Sequence, residues 1–111
     1  MDASDEAKVL AAKEYHRLER ARELDGLRAL LDDYNGRAFV WRILSQCGIY
    51  QSIPIGEAVN MAAAIALQNH GKWLLGEVFT ADMNCYTVMR NEAQQRDDER
   101  ERSLKNDDQP I

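Results

Sequence analysis

Four side chains in this 111-residue sequence belong to the types that zinc prefers, namely His16, Cys47, His70 and Cys85. Structural zinc sites draw their ligands from close pairs of cysteines or histidines a few residues apart. These four are widely separated along the chain, so the spacing predicts no metal site. Neither cysteine has a histidine or a basic residue beside it that would activate a nucleophile. We therefore expect both thiols to lie in a core or an interface.

Two other pairs could carry chemistry, and both have a structural explanation. Asp32 and Asp33 could act as general acid and base or bind calcium, but they lack the spaced oxygen ligands and the turn glycine of a calcium loop. Helix capping is the favoured role. Gly71 and Gly76 lie in an apolar helical run with no preceding strand, so they do not form a phosphate-binding loop. The sequence predicts no catalytic residue, no cofactor and no enzyme activity.

The charge pattern argues against nucleic acid as the main partner. The formal net charge is −5, and affinity for nucleic acid comes chiefly from Lys and Arg neutralising phosphates. No segment of the chain is a basic patch, and we expect no sequence-specific DNA or RNA binding. The apolar stretch over residues 52–68 is interrupted by Pro54, Gly56 and Glu57, so the sequence predicts no membrane span. The acidic start does not resemble a secretory signal, which favours a reduced, cytosolic origin.

Helical spacing of the apolar residues predicts an all-α fold, a small bundle of about three to four helices. A first helix begins near Ser4, and its apolar stripe appears only from Leu24 onward. Before Leu24, the positions that would continue this stripe are occupied by charged residues, which predicts a charged helix projecting from the core. The domain boundaries follow: residues 1–23 form a charged arm that is helical or ordered on a partner, residues 24–95 the helical core, and residues 96–111 a charged, flexible tail.

Within the core, Asp32, Asp33 or Asn35 can cap a second helix, which Gly48 ends. After a loop, a third helix should begin near Ile55 or Glu57, run to about Thr80 and be the most buried element. A fourth follows Asp82. The two glycines of the third helix suggest a close helix crossing, because glycine there costs about 1 kcal/mol of helix propensity. The expected helix-packing set is Gly71, Gly76, Phe39, Ile43 and Cys47.

One aromatic residue stands out as a candidate for contact with a partner. Trp73 follows Lys72 and lies off the main apolar stripe, whereas core packing is the default for aromatics in a domain of this size. Two residues of the charged first helix complete the candidate interface. The predicted interface residues are Trp73, Lys72, Leu18 and Tyr15.

Five short segments together resemble a known family. Gly36-Arg37, residues 39–44 (FVWRIL) and residues 47–50 (CGIY) are similar to the first half of a small domain of tailed bacteriophages. The second half is similar to residues 70–76 (HGKWLLG) and 86–93 (YTVMRNEA). The family is typified by a Bordetella podovirus protein encoded among head and portal genes. The resemblance covers about residues 27–93. His70 and Lys72 depart from it, since an acid and an arginine are usual there.

The resemblance implies a virion component rather than an enzyme, located in the virion and, during assembly, in the host cytoplasm. We expect an internal or ejected protein inside the head, or a protein at the portal and head-tail junction. Its partners would be the portal, capsid or other internal proteins, and copies of itself. Two alternatives remain open: an assembly factor, such as a scaffold accessory or chaperone that leaves before maturation, and a small regulator that binds a host protein through the Trp73 face.

Overall fold

The computed structural model describes residues 2–53 and 55–108, which form four α-helices. They are α1 (Ala3–Asp32), α2 (Tyr34–Gln46), α3 (Ala58–Ala81) and α4 (Cys85–Asp108). No strand occurs in these residues, and the all-α prediction is confirmed. Over the same part of the chain, no helix combines the length and the apolar character needed to cross a membrane.

A single residue, Asp33, separates α1 from α2. Its backbone is extended, its N–H donates to the carbonyl of Leu30, and its carboxylate accepts a hydrogen bond of 3.1 Å from the N–H of Gly36. It therefore ends one helix and caps the next, as its position in the sequence predicted. A Cβ at Gly36 would lie 2.0 Å from the carbonyl oxygen of Leu30, so only glycine fits this tight turn. At the other end of α1, Asp2 rather than Ser4 is the cap.

The connection from α2 to α3 begins at Gly48, the one glycine with a positive φ (67°) among the described residues. The left-handed conformation lets the chain turn away from the helix axis. The side-chain amide of Gln68 then donates to the carbonyls of Gly48 and Gln51, at 3.0 and 2.9 Å. These two bonds tie the loop to the surface of α3.

The hydrophobic core lies where the end of α1, the middle of α2, the end of α3 and the start of α4 meet. Leu44, Met89 and Val78 are its largest fully buried side chains. The buried cluster comprises Leu31, Val40, Leu44, Val78, Ala81, Cys85 and Met89. All members of the cluster lie within residues 24–95.

The chain is elongated around this core, with principal extents of 82 × 40 × 17 Å. Its radius of gyration is 20.8 Å, whereas a compact domain of this length has about 13 Å. At 1.5 Å per residue, α1 is about 45 Å long and α4 about 36 Å. A long axis of 82 Å requires these two helices to leave the core on opposite sides. The projecting N-terminal helix agrees with the sequence prediction.

Most of residues 96–111, for which the sequence predicts a charged, flexible tail, is helical. Helix α4 continues through Asp108, while residues 109–111 lie outside the described residues. The segment is rich in Glu, Arg and Gln, which favour helix, and ion pairs such as Arg100 with Asp97 (3.2 Å) add local support. Low apolar content prevents burial, but it does not prevent helix formation.

The prediction that α3 is the most buried element was wrong. Only Gly71, Val78 and Ala81 of this helix are buried, all in its second half. In the first half Val59 is 78% exposed and Leu67 50% exposed. The reason is that α1 and α4 reach only the C-terminal half of α3, and the loop after α2 covers one side of the rest.

Candidate functional site

An ion pair that sequence reasoning did not identify joins α2 to α4. The guanidinium of Arg37 donates two hydrogen bonds to the carboxylate of Glu92, from Nε at 2.8 Å and from Nη2 at 3.0 Å. A third bond runs from Nη1 of Arg37 to the carbonyl of Leu31, at 3.0 Å. The two side chains are only 18% and 16% exposed. Arg37 thus links α1, α2 and α4 through one planar group.

The Arg37 hydrogen bonds lower the pKa of Glu92 below its ordinary value, because they stabilise the ionised carboxylate more than partial burial disfavours it. Glu92 in turn raises the pKa of Arg37. Both groups are therefore charged at neutral pH. The arrangement positions helices and presents no free acid or base to a substrate.

The structure brings Gly71 together with the end of α2, as predicted. A Cβ at Gly71 would lie 2.4 Å from Cβ of Cys47 and 2.6 Å from Cγ2 of Ile49. Cys47 is buried, and Ile43, one turn earlier on α2, is half-buried. The close crossing at Gly71 is confirmed, and the Ile49 contact extends it into the following loop.

Two members of the predicted packing set do not belong there. Gly76 has no neighbouring atom within 4 Å of a Cβ position, because five residues after Gly71 the helix has turned by about 140° away from the crossing. Phe39 is 59% exposed. Val40 and Leu44 occupy the core-facing side of α2, and Phe39 lies one position off that stripe. The packing role is wrong for both residues.

Both cysteines are core thiols, as expected. Cys47 is 6% exposed and Cys85 3% exposed. Sγ of Cys85 lies 3.9 Å from the carbonyl oxygen of Leu31. Burial raises the pKa of the Cys85 thiol, with the nearby Asp82 carboxylate adding to the effect. A thiol held in its protonated form is a poor nucleophile. Within residues 2–53 and 55–108, no group of three or more His, Cys, Asp or Glu side chains is placed to hold a metal ion.

The predicted interface residues are all exposed, but the structure divides them between two surfaces. Trp73 is 56% exposed, and its ring stacks on that of His70 with centroids 5.1 Å apart. Lys72 is exposed beside it. Tyr15 and Leu18 are 61% and 42% exposed, on the side of α1 opposite the residues that pack against α3. The sequence did not reveal this division because it depends on which side of α1 faces the core.

A shallow hollow of about 240 Å³ lies between α1 and α3 next to Trp73. Apolar side chains of both helices line it, and an ion pair from Arg20 to Glu77 crosses its rim. Its apolar lining consists of Leu24, Leu27, Trp73 and Leu74. This hollow gives the Trp73 face a shape that could accept an apolar side chain of a partner.

A larger groove of about 490 Å³ lies between α2 and α4. Arg42, Arg96 and Arg100 line it together with one acid, Asp97, which pairs with Arg100. Arg96 also donates to the hydroxyl of Tyr34, at 3.1 Å. The groove is locally basic on an acidic protein. The sequence alone does not predict this groove, because its arginines come from two helices and form no cluster along the chain.

Comparison with known proteins gave no match, whether against family models, curated proteins or solved structures.

Proposed function

We propose that this chain is a non-enzymatic structural component of a tailed-bacteriophage particle, inside the head or at the portal and head-tail junction. It binds other structural proteins through its helical surfaces. The observation that carries the binding role is the amount of surface left open by the fold. The resemblance of residues 27–93 to the short phage domain provides the biological setting.

The exposed surface is large for the size of the chain. Its accessible area is 8646 Å², whereas a compact monomer of 12.7 kDa has about 6,200 Å². The excess of about 2,400 Å² is roughly three times what one partner contributes to a standard interface. A surface of this extent supports a protein whose exposed helices become buried against partners in an assembly.

The distribution of that surface supports the same role. Three parts of the fold extend beyond the core, and each is mostly exposed: residues 3–23 of α1, the first half of α3 and the end of α4. Helical arms of this kind can cover a wide area of a partner with few core residues. Two of the three arms are highly charged and the third is apolar, so they suit different contacts.

The segments that carry the phage resemblance also include the residues that hold the core together. Arg37 and Glu92 form the ion pair between α2 and α4, and Gly71 crosses the end of α2 at Cys47. Gly36 permits the turn between α1 and α2. A resemblance that includes such structural positions supports a shared fold, which is the basis of the proposed setting.

Mass spectrometry of purified particles tests the proposal. The protein should be present in mature virions, and its absence would rule out the role. Comparison of empty proheads with filled heads separates this role from that of an assembly factor, because an assembly factor is enriched in proheads and lost from filled heads.

The exposed Trp73 face favours one further candidate, a regulator that binds a host protein. A pull-down with the parent chain and with Trp73→Ser tests it. Recovery of one host protein by the parent alone, without capsid or portal protein, would favour the regulator. Recovery of portal or capsid protein would favour the structural role.

A further inference from the structure

We propose that the first half of α3 is a self-association surface, on which α3 of a second copy packs antiparallel about Ile65. The proposal rests on the proposed function only for its setting, because a component present in several copies needs contacts between copies. The pairing itself is a property of the isolated chain.

One stripe of α3 has no partner within the fold. Its residues recur at helical spacing, and every one of them is exposed. The stripe consists of Ala58, Ala62, Ile65, Asn69, Lys72 and Gly76. The second copy is thus offered a continuous helix face. The loop after α2 lies along one flank at Gln68, and α1 reaches the other flank only from Trp73 onward.

The composition of the stripe suits a copy of itself. No Asp, Glu, Lys or Arg occurs between Glu57 and Lys72, so two copies can meet there without burying like charges. Ala58 and Ala62 are small enough to let two helix axes approach to about 8 Å. Ile65, 44% exposed, provides the largest apolar side chain of the stripe and lies at its centre. A two-fold axis there would place the two Ile65 side chains against each other.

The charges at the two ends of this surface are complementary. In an antiparallel pair centred on Ile65, Lys72 of one copy lies opposite Ala58 of the other, so Glu57, the residue before Ala58, comes beside Lys72, and the same pair forms at the other end. The carboxylate of Glu57 makes no capping hydrogen bond although Glu57 is the N-cap residue of α3. Lys72 forms no ion pair with the described residues. Both charges are therefore available to a second copy.

The same register accounts for two features that the single chain leaves unexplained. Gly76 weakens α3 by about 1 kcal/mol relative to alanine, yet no intramolecular neighbour requires a glycine there. Ile55 is 98% exposed. The antiparallel register places Gly76 of one copy about 6 Å beyond Ala58 of the other, where the segment that carries Ile55 leads into the helix. A glycine at that point leaves room for the approaching chain.

Sedimentation velocity over about 1–500 µM protein tests the pairing. The parent should pass from monomer to dimer over this range. Ile65→Asp should remain monomeric, because it places two carboxylates at the two-fold axis. Val59→Asp is the matched control: it changes an exposed residue of the same helix on a different face and should dimerise like the parent. Circular dichroism confirms that each variant is folded.

The charge pairs allow a sharper test. Glu57→Lys and Lys72→Glu should each weaken self-association about tenfold, since each replaces two attractive pairs by two repulsive ones. An equimolar mixture of the two variants should recover the parental affinity as a heterodimer, because both attractive pairs return. Lys13→Glu, an equivalent reversal on α1, should leave the affinity unchanged.

A parent chain that stays monomeric throughout the range would overturn the pairing, as would an Ile65→Asp variant that still dimerises. A mixture no tighter than its components would overturn the antiparallel register. The proposed function is judged separately, because a monomeric chain found in mature particles would keep its structural role.

Discussion

Gly71 of α3 lies against Cys47 at the end of α2 so closely that a Cβ added to the glycine would sit 2.4 Å from Cβ of the cysteine. No two carbon atoms that are not bonded approach to that distance, so any larger residue must push the two helices apart. The crossing joins the core half of α3 to α2, and each of these two helices contacts the other three.

Gly71→Ala should lower stability by about 1–3 kcal/mol although alanine is the better helix former, because overpacking outweighs the propensity gain. Urea unfolding followed by circular dichroism measures the change. Gly26→Ala is the control, since nothing lies within 4 Å of that position in α1. It should stabilise the protein by up to about 1 kcal/mol. Equal effects of the two substitutions would contradict the crossing.

Glu92→Gln should destabilise the protein by about 1–3 kcal/mol at pH 7, because it leaves the largely buried Arg37 guanidinium without its counter-charge. Asp97→Asn, which removes an exposed partner of Arg100, should have no measurable effect. A loss at Asp97 as large as that at Glu92 would show that burial of the ion pair is unimportant.

The same ion pair predicts a pH dependence with a definite sign. The pKa of Glu92 is lowered in the folded state, so its contribution is complete above the ordinary value of 4.5 and is lost as the pH falls through the folded pKa. The stability difference between the parent and Glu92→Gln should therefore shrink below about pH 4.5. A difference that stays constant down to pH 3 would contradict this assignment.

Met89→Ala should cost about 2–5 kcal/mol, because it opens a cavity at a residue that is 1% exposed in a small core. Met83→Ala makes the same chemical change at a side chain that is 75% exposed, and it should leave the unfolding midpoint where it is. The comparison isolates burial from the chemistry of the substitution.

Thiol reagents should label Cys85 only after the core opens, since the side chain is buried and its raised pKa keeps it protonated. Labelling rates at pH 8 should rise with urea in parallel with unfolding. Because the pKa is raised, stability should also decrease above the ordinary value of 9.0. Rapid labelling of the folded protein would place the thiol at the surface.

Amide hydrogen exchange should divide the helices into fast and slow parts. Residues 5–19 of α1 and 97–106 of α4 are helical but exposed, so they can open without breaking the core. Residues 86–93 of α4 should exchange much more slowly. Uniformly slow amide exchange along α4 would show that the whole helix is held by contacts beyond the single chain.

The helices could be predicted from sequence because their apolar residues follow helical spacing, although the N-terminus of α3 has no side-chain cap. Asp33 caps the start of α2 and Gly48 turns the chain after its end, and both effects depend only on residues nearby in the sequence. The start of α3, at Ala58, was also expected within a few residues. Low apolar content predicts a flexible tail beyond Gln95, yet α4 continues through Asp108 because Glu, Arg and Gln favour helix.

Burial was harder to predict than helicity, since it depends on which face of each helix meets a neighbour. The apolar first half of α3 indicated a buried helix, yet no other helix covers it. Gly71 and Gly76 looked equivalent in sequence, and only their angular positions distinguish them. Arg37 and Glu92 are 55 positions apart in the sequence, so no local pattern reveals their ion pair.

The one-residue junction at Asp33 has a mechanical consequence. Helix α1 runs about 45 Å from this junction to its tip and has no neighbour along most of its first 19 residues. The junction fixes the direction in which this helix projects, because Leu31 just before it is buried in the core and Arg20 pairs with Glu77 of α3. A bend of about 5° in α1 before Arg20 would move Ala3 by about 2 Å while these contacts stay intact.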